Sequence, residues 1–131
     1  DRKSSKSRWG VYERSNKVIK KGLSICIFPE KDYLDNTKLL NEFKRGAFKL
    51  SIDHQIPIVP MAFLDCKRKF PWHTNYGKPG KLRVETFSTI YPKKKHDKIE
   101  NLQKTTRQII LNALKNDPLQ KNKEAIDLEY N

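Results

Sequence analysis

The sequence predicts an α/β fold in which a mixed, largely parallel sheet is flanked by helices. Three observations carry that expectation. The run Leu23-Ser24-Ile25-Cys26-Ile27-Phe28 is β-rich, nearly all apolar and too short for a helix, the pattern of a strand buried on both faces. A second such run, Ile58-Val59-Pro60-Met61-Ala62-Phe63-Leu64, follows after a helical interval. Strand, helix and strand in that order make a unit whose crossover should be right-handed. Finally, Ile99, Leu102, Thr106, Ile109, Ile110, Ala113 and Leu114 form a continuous helical stripe suited to cover a sheet.

The elements follow in chain order. Residues 7–21 read as a helix with Trp9, Tyr12 and Ile19 near one face, and Gly22 sits where a helix should stop. Pro29 ends the first apolar run. Residues 30–42 are polar and contain the turn-forming pair Asp35-Asn36, so they predict a long loop after the carboxyl end of a buried strand, where α/β folds place ligand sites. A short helix is expected after Gly46 as far as about Gln55. Pro57 and Pro60 sit awkwardly for a fully bonded central strand at 58–64. Residues 65–81 are basic, aromatic and rich in turn residues, a loop or short helix plus turn. Leu82-Arg83-Val84-Glu85-Thr86-Phe87 alternates and predicts a strand with one wet face. Asp97 is placed to cap the long helix, which Pro118 should end, leaving a polar tail at 119–131.

The chain has 131 residues, 28 Lys and Arg against 15 Asp and Glu, and a formal net charge of +13. That length supports one domain, able to bury roughly two-thirds of its unfolded surface. The charge implies an anionic partner without choosing among nucleic acid, phospholipid headgroup and phosphorylated small molecule. No apolar run reaches the roughly 18 residues of a spanning helix. Cys26 and Cys66 are too few for a disulfide framework and point to a reducing setting.

Chemistry-bearing patterns are sparse. His54, His73 and His96 have no ligand partners at metal spacing, and a structural or solvated role is the plain reading of each. Ser24, Ser51 and Ser88 lack a nucleophile-elbow setting, and no glycine-rich nucleotide loop occurs. What remains is the series Ile27-Phe28-Pro29-Glu30, then Phe43-Lys44-Arg45-Gly46-Ala47-Phe48, then Ile56-Pro57-Ile58-Val59-Pro60. Read plainly, it is a strand, a loop, a helix start and another strand. Read functionally, a carboxylate and several cations converge where a buried strand ends and a helix begins, which suits a phosphate or other anion.

This series resembles the glycerolipid acyltransferase family, whose best-known members are the 1-acylglycerol-3-phosphate acyltransferases. The family has four ordered blocks: a catalytic His-x-x-x-x-Asp, a block ending in an acidic residue plus Arg, a block reading F-P-E-G-T-R, and one of the V-P-I-V-P type. Asp1-Arg2 resembles the end of the second block. Phe28-Pro29-Glu30 opens the third, residues 43–48 resemble the segment after it, and residues 56–60 are similar to the fourth. Residues 1–118 are accordingly expected to be the C-terminal portion of a single acyltransferase domain cut within its second block. Two departures stand out. None of the three histidines has an Asp five positions later, and Lys31-Asp32-Tyr33 replaces G-T-R.

The resemblance implies that no catalytic residue lies in this chain, since the family's His acts as the general base on the acceptor hydroxyl. It implies an acceptor-phosphate set of Arg2, Lys31 and Lys44 oriented by Glu30, and an acyl-side wall of Phe28, Pro29, Ile58, Val59 and Pro60, with Gly46 as a motif residue. Beside these stand plain alternatives, Glu30 as a loop salt bridge and residues 58–61 as core. The implied reaction moves an acyl group from acyl-CoA or acyl carrier protein, as co-substrate, to a lysophosphatidate-like acceptor, with neither metal nor further cofactor. It would take place at the cytoplasmic face of a membrane, reached peripherally or through an N-terminal anchor. Lys67, Arg68, Lys69, Phe70 and Trp72 are the candidates for touching an anionic bilayer, and nucleic acid is not the expected partner. Two rival functions are a non-catalytic basic module binding anionic lipid or RNA, and a relative that acylates another lipid.

Overall fold

The computed structural model describes residues 4–31, 38–71, 76–93 and 98–121. Helix α1 spans Ser5–Lys20. The Ser4 hydroxyl caps it by accepting from the Ser7 N–H at 3.3 Å, and Lys17 and Lys20 sit in its last turn, where cations suit the helix dipole. Gly22 takes the left-handed φ of 75° that lets its N–H close back on the Ile19 carbonyl at 2.8 Å. None of the residues of α1 is buried. It leans on α2 (Gly46–His54) through polar contacts: Tyr12 donates to the Asp53 carboxylate, and His54 pairs with Asn16 at 2.8 Å.

Helix α2 and helix α4 (Ile99–Asn116) bring the core together with β1 (Met61–Phe63). Phe48 and Ile52 come from α2, Ala62 from β1, and Leu102, Ile110 and Leu114 from α4, joined by Leu40 and Phe43 from the preceding loop. Leu102, Thr106, Ile110 and Leu114 are the buried residues of α4, each four after the last, so one helical stripe does all the burying. Thr106 satisfies its buried hydroxyl on the Leu102 carbonyl at 2.8 Å. The long helix and its stripe fall where the periodicity places them, while Asp97, the expected cap, lies outside the described residues. Pro118 opens the short α5 (Pro118–Lys121), in keeping with its tolerance at a first helical position.

The sheet differs from the expectation. Among the described residues it has two strands, β1 and β2 (Val84–Thr86), paired antiparallel with Met61 opposite Thr86, Ala62 opposite Glu85 and Phe63 opposite Val84. No parallel sheet and no right-handed strand-helix-strand unit forms among those residues. The run at 23–28 is extended but unpaired, with Leu23 59% and Phe28 75% exposed. An apolar run becomes a buried strand only where neighbouring strands take its N–H and C=O groups, and among the described residues no strand pairs with it. The second run is shortened at its front. Pro57 and Pro60 have no N–H to give, so Ile58 makes one isolated bridge to Ile90 at 2.9 and 2.8 Å, and regular pairing starts only at Met61. All three residues of β2 are exposed, so the expected dry face of that strand is not present either.

Between the strands, Cys66–Lys69 form the one-turn helix α3. It is anchored by Asp65, a fully buried carboxylate. Asp65 accepts from the Arg83 backbone N–H at 2.8 Å, from the Arg83 guanidinium at 2.7 Å and from Arg68 at 2.7 Å. Arg83 in turn reaches Asp117 beyond the end of α4 at 2.8 Å, tying β1, β2 and α4 together at one point.

Candidate functional site

The site forms where residues 29–31 and 42–44 lie antiparallel. Lys31 N–H donates to the Glu42 carbonyl and Lys44 N–H to the Pro29 carbonyl, both at 2.7 Å, with Glu30 and Phe43 as the bridge pair. Three residues expected to act together, Glu30, Lys31 and Lys44, are thereby held side by side. Lys31 and Lys44 are exposed, and Lys31 meets Glu42 at 3.9 Å, a long surface pair of small energetic weight. Glu30 is half-buried and its carboxylate accepts the Asn41 N–H at 3.1 Å. Arg2, the fourth member of the expected set, lies outside the described residues.

Next to this pairing is a cavity of about 270 Å³. Phe28, Pro29 and Glu30 form one side, and Leu39, Leu40 and Phe43 another. Met61, Phe63 and Leu64 continue the lining from β1, Cys66 and Lys67 from α3, and Ile110 and Leu114 close it from α4. Its lining is mostly apolar with a few polar groups, Glu30, Cys66 and Lys67, the usual make-up of a small-molecule site, and its size suits part of a chain rather than a whole lipid. At its mouth the Phe28 ring stands 5.7 Å from that of Phe63, tilted by 51°. The Cys66 thiol is pushed up by burial first and then by the Asp65 and Glu30 carboxylates, so it stays protonated at neutral pH.

The other expected residues divide. Phe28 and Pro29 line the cavity, but Ile58, Val59 and Pro60 do not. Ile58 packs on the core cluster, Pro60 is buried, and Val59 is exposed. Alternate residues of an extended segment face opposite ways, so this stretch divides between core and surface. Gly46 opens α2 with nothing within 4 Å of an added Cβ, so no close approach there demands glycine. The basic segment is tied down by internal contacts: Lys67 donates to the Lys38 carbonyl at 2.6 Å, Arg68 to Asp65, and Lys69 to the Pro79 carbonyl at 3.2 Å. Phe70 remains 72% exposed, with its ring against Gly77, and Trp72 lies outside the described residues.

Sequence reasoning missed the lining from α4 and α3. Ile110 and Leu114 carried only a core signal, and nothing in a linear pattern announces that a stripe some seventy residues on also walls a cavity. It also missed Asp65 and Arg83. The Asp65 carboxyl is held well below the usual carboxylate range by Arg83 above all, then by Arg68, and Arg83 is raised further by Asp117 and Asp65. No cluster of three or more potential metal ligands occurs among the described residues, and none of their helices is long and apolar enough to cross a membrane. His54 is engaged with Asn16, while His73 and His96 lie outside the described residues.

Three comparisons bear on this geometry. The Acyltransferase family model matches residues 1–64, the stretch that supplies the 29–31 and 42–44 pairing and all of β1. Over 74 residues the chain is 34% identical to the human 1-acyl-sn-glycerol-3-phosphate acyltransferase beta, covering 52% of this chain and 26% of that protein. It is 31% identical over 80 residues to the 1-acyl-sn-glycerol-3-phosphate acyltransferase of Cocos nucifera, covering 61% and 26%. A Mycoplasma pneumoniae protein named "Probable 1-acyl-sn-glycerol-3-phosphate acyltransferase" is 31% identical over 64 residues, covering 49% and 24%. The matched segment thus spans about a quarter of the length of these curated relatives. No solved structure matches.

Proposed function

Since residues 1–64 belong to the glycerolipid acyltransferase family, we propose that the protein transfers a fatty acyl group from acyl-CoA or acyl carrier protein to a hydroxyl of a lysophosphatidate-like acceptor, at the cytoplasmic face of a membrane. The observation that carries this reading is the apolar cavity beside the strip of Glu30, Lys31 and Lys44. An amphiphile with a phosphate at one end and an alkyl chain at the other meets cations and apolar wall in that order. Lys31 and Lys44 supply charge to the phosphate. Neither has the planar fork of the arginine that the family's third block carries, so they hold it as point charges. Glu30 keeps the loop beside them in place through Asn41.

In the family mechanism a His-x-x-x-x-Asp pair removes the acceptor's proton as the hydroxyl attacks the thioester carbonyl. No such pair occurs in these 131 residues, so the chain by itself is expected to bind acceptor without turning it over. The test is acyl transfer to lysophosphatidate, measured for the product of the intact gene and for this chain alone. Transfer by the former and binding without transfer by the latter are expected. An intact gene product that acylates no lysophospholipid would sink the proposal.

A further inference from the structure

We propose, on the reading that the cavity takes an acyl chain, that Arg107 and Gln103 of α4 are positioning residues that set the width of the cavity and with it the acyl chain accepted. Residues 38–43, which supply Leu39, Leu40 and Phe43 to the cavity lining, belong to no helix or strand. A backbone that leaves regular structure must still satisfy its polar groups where it is buried, and Leu40, Asn41 and Phe43 are each at most 6% exposed. Six successive carbonyls here all find a donor. Lys67 serves Lys38 at 2.6 Å and Leu39 at 3.3 Å. Arg107 serves Leu40 and, at 3.0 Å, Asn41. The Lys31 N–H serves Glu42, and the Gln103 side chain serves Phe43.

Five of those six carbonyls are therefore held by side chains rather than by a ladder, and three of the five by α4. The same helix supplies lining of its own, Ile110 and Leu114. Gln103, Arg107, Ile110 and Leu114 fall at intervals of four, three and four, one continuous helical stripe. One rigid element thus carries both the floor of the cavity and the grip on its wall, and the gap between Leu39, Leu40 or Phe43 and that floor is fixed by how far two side chains reach. Arginine suits the task because its guanidinium presents several donors in a fixed fork, so it can hold two successive carbonyls at once. Lysine at the same place could serve one of them. Both Gln103 and Arg107 lie beyond residues 1–64, outside the stretch matched to the family.

The test measures displacement of a fluorescent fatty acid from the full chain by a series of lysophosphatidates differing only in acyl length, for the native chain and for Arg107→Met, Arg107→Lys, Gln103→Leu and Gln108→Ala. Gln108 is exposed on α4 and bonds to Asn112, away from the cavity lining, so its variant serves as the reference. The native chain should show a preferred length. Arg107→Met should flatten that preference and weaken the best ligand about tenfold, as expected for two buried acceptors left unpaired. Arg107→Lys should restore part of both, a rescue that a purely structural role would not tie to chain length. An Arg107→Met profile identical to the native one overturns the proposal. If Arg107→Met fails to fold by circular dichroism, Gln103→Leu carries the same comparison.

Should the native chain bind no lysophosphatidate, the acyl-chain reading fails by itself, and the grip is judged by hydrogen exchange. Arg107→Met, or Gln103→Leu in its place, should then speed exchange of the Asn41 and Lys44 amides about tenfold while leaving the α2 amides unchanged. Unchanged exchange at Asn41 and Lys44 overturns it.

Discussion

The Asp65 carboxylate takes both the backbone N–H of Arg83, at 2.8 Å, and its guanidinium, at 2.7 Å, across eighteen residues of chain. Asp65 is fully buried and Arg83 is not, so the carboxylate depends on this partner far more than the guanidinium does. Arg83 has a second carboxylate in Asp117, and Asp65 a second cation in Arg68. The segment just after β1, the entry to β2 and the far end of α4 thus share one charge cluster.

Replacing Asp65 by Asn should cost about 3 kcal/mol, the lower end for breaking a buried pair, because Arg83 keeps Asp117. The pH dependence has a definite sign. Asp65 titrates lower in the folded than in the unfolded chain, so its stabilisation is complete above about pH 5, begins to fade near the ordinary carboxylate value of about 4, and goes on being lost as pH falls towards its own, much lower folded value. Urea midpoints measured between neutral pH and pH 3 should fall more steeply for the native chain than for Asp65→Asn. Equal slopes would refute the assignment.

Phe48 is 1% exposed and its ring lies nearly parallel to that of Phe43 at 6.2 Å. Phe48→Ala should cost about 3 to 5 kcal/mol by lost burial and the cavity left behind. That is a large part of the stability of a domain this size, and cooperative thermal unfolding should be weakened or lost. A transition unchanged within a degree or two would mean the core is not organised around this ring.

Phe28 is 75% exposed, so Phe28→Ser should change stability by less than about 0.5 kcal/mol. Its ring at the cavity mouth gives it a different weight in binding. Lysophosphatidate affinity should fall about fivefold, for a loss near 1 kcal/mol, measured by the same displacement titration. A fall in melting temperature without a fall in affinity would reverse the two roles.

Cys66 lines the cavity with its thiol shifted upward. Its alkylation rate should therefore still be rising at a pH where an ordinary thiol has levelled off, and bound lysophosphatidate should slow it. Mass spectrometry after timed iodoacetamide treatment separates this site from Cys26. A rate that levels off near the ordinary thiol value would remove the burial argument.

Helix α1 is held to α2 by polar contacts with no buried residue of its own: Tyr12 to Asp53, Asn16 to His54, and Lys49 over the Tyr12 ring at 5.4 Å. The Asp53 carboxyl is lowered by Lys49 first and then by Tyr12, while burial and Asp53 raise the Tyr12 hydroxyl. These groups are substantially exposed, so Tyr12→Phe should cost less than about 1 kcal/mol overall. Amide exchange in α1 should nonetheless speed up while α4 is unaffected. Equal protection of α1 before and after the change would show that other contacts hold it.

How much of this was legible beforehand depends on whether the signal is local. The stripe from Leu102 to Leu114, the stop at Gly22 and the start at Gly46 are local properties of helices, set by periodicity and backbone preference, and the structure places all of them as read. The order of Phe28-Pro29-Glu30, Phe43 to Phe48 and Ile56 to Pro60 was enough by itself to identify the family over the first half of the chain. Strand pairing is not local. The run at 23–28 has the composition of a buried strand, but burial needs neighbours, and among the described residues it stays exposed and unpaired.

The sequence alone therefore determined the three longer helices α1, α2 and α4, the family of residues 1–64 and the choice of Glu30, Lys31 and Lys44 as candidates. Only the tertiary structure decided that the sheet among the described residues is a two-stranded antiparallel pair, that Lys67, Arg68 and Lys69 are bound internally, and that α4 both floors the cavity and grips its wall. The physical reason is range. Helical periodicity is written into residues three and four apart, whereas Arg107 finds the Asn41 carbonyl, and Asp65 finds Arg83, only after the intervening chain has folded.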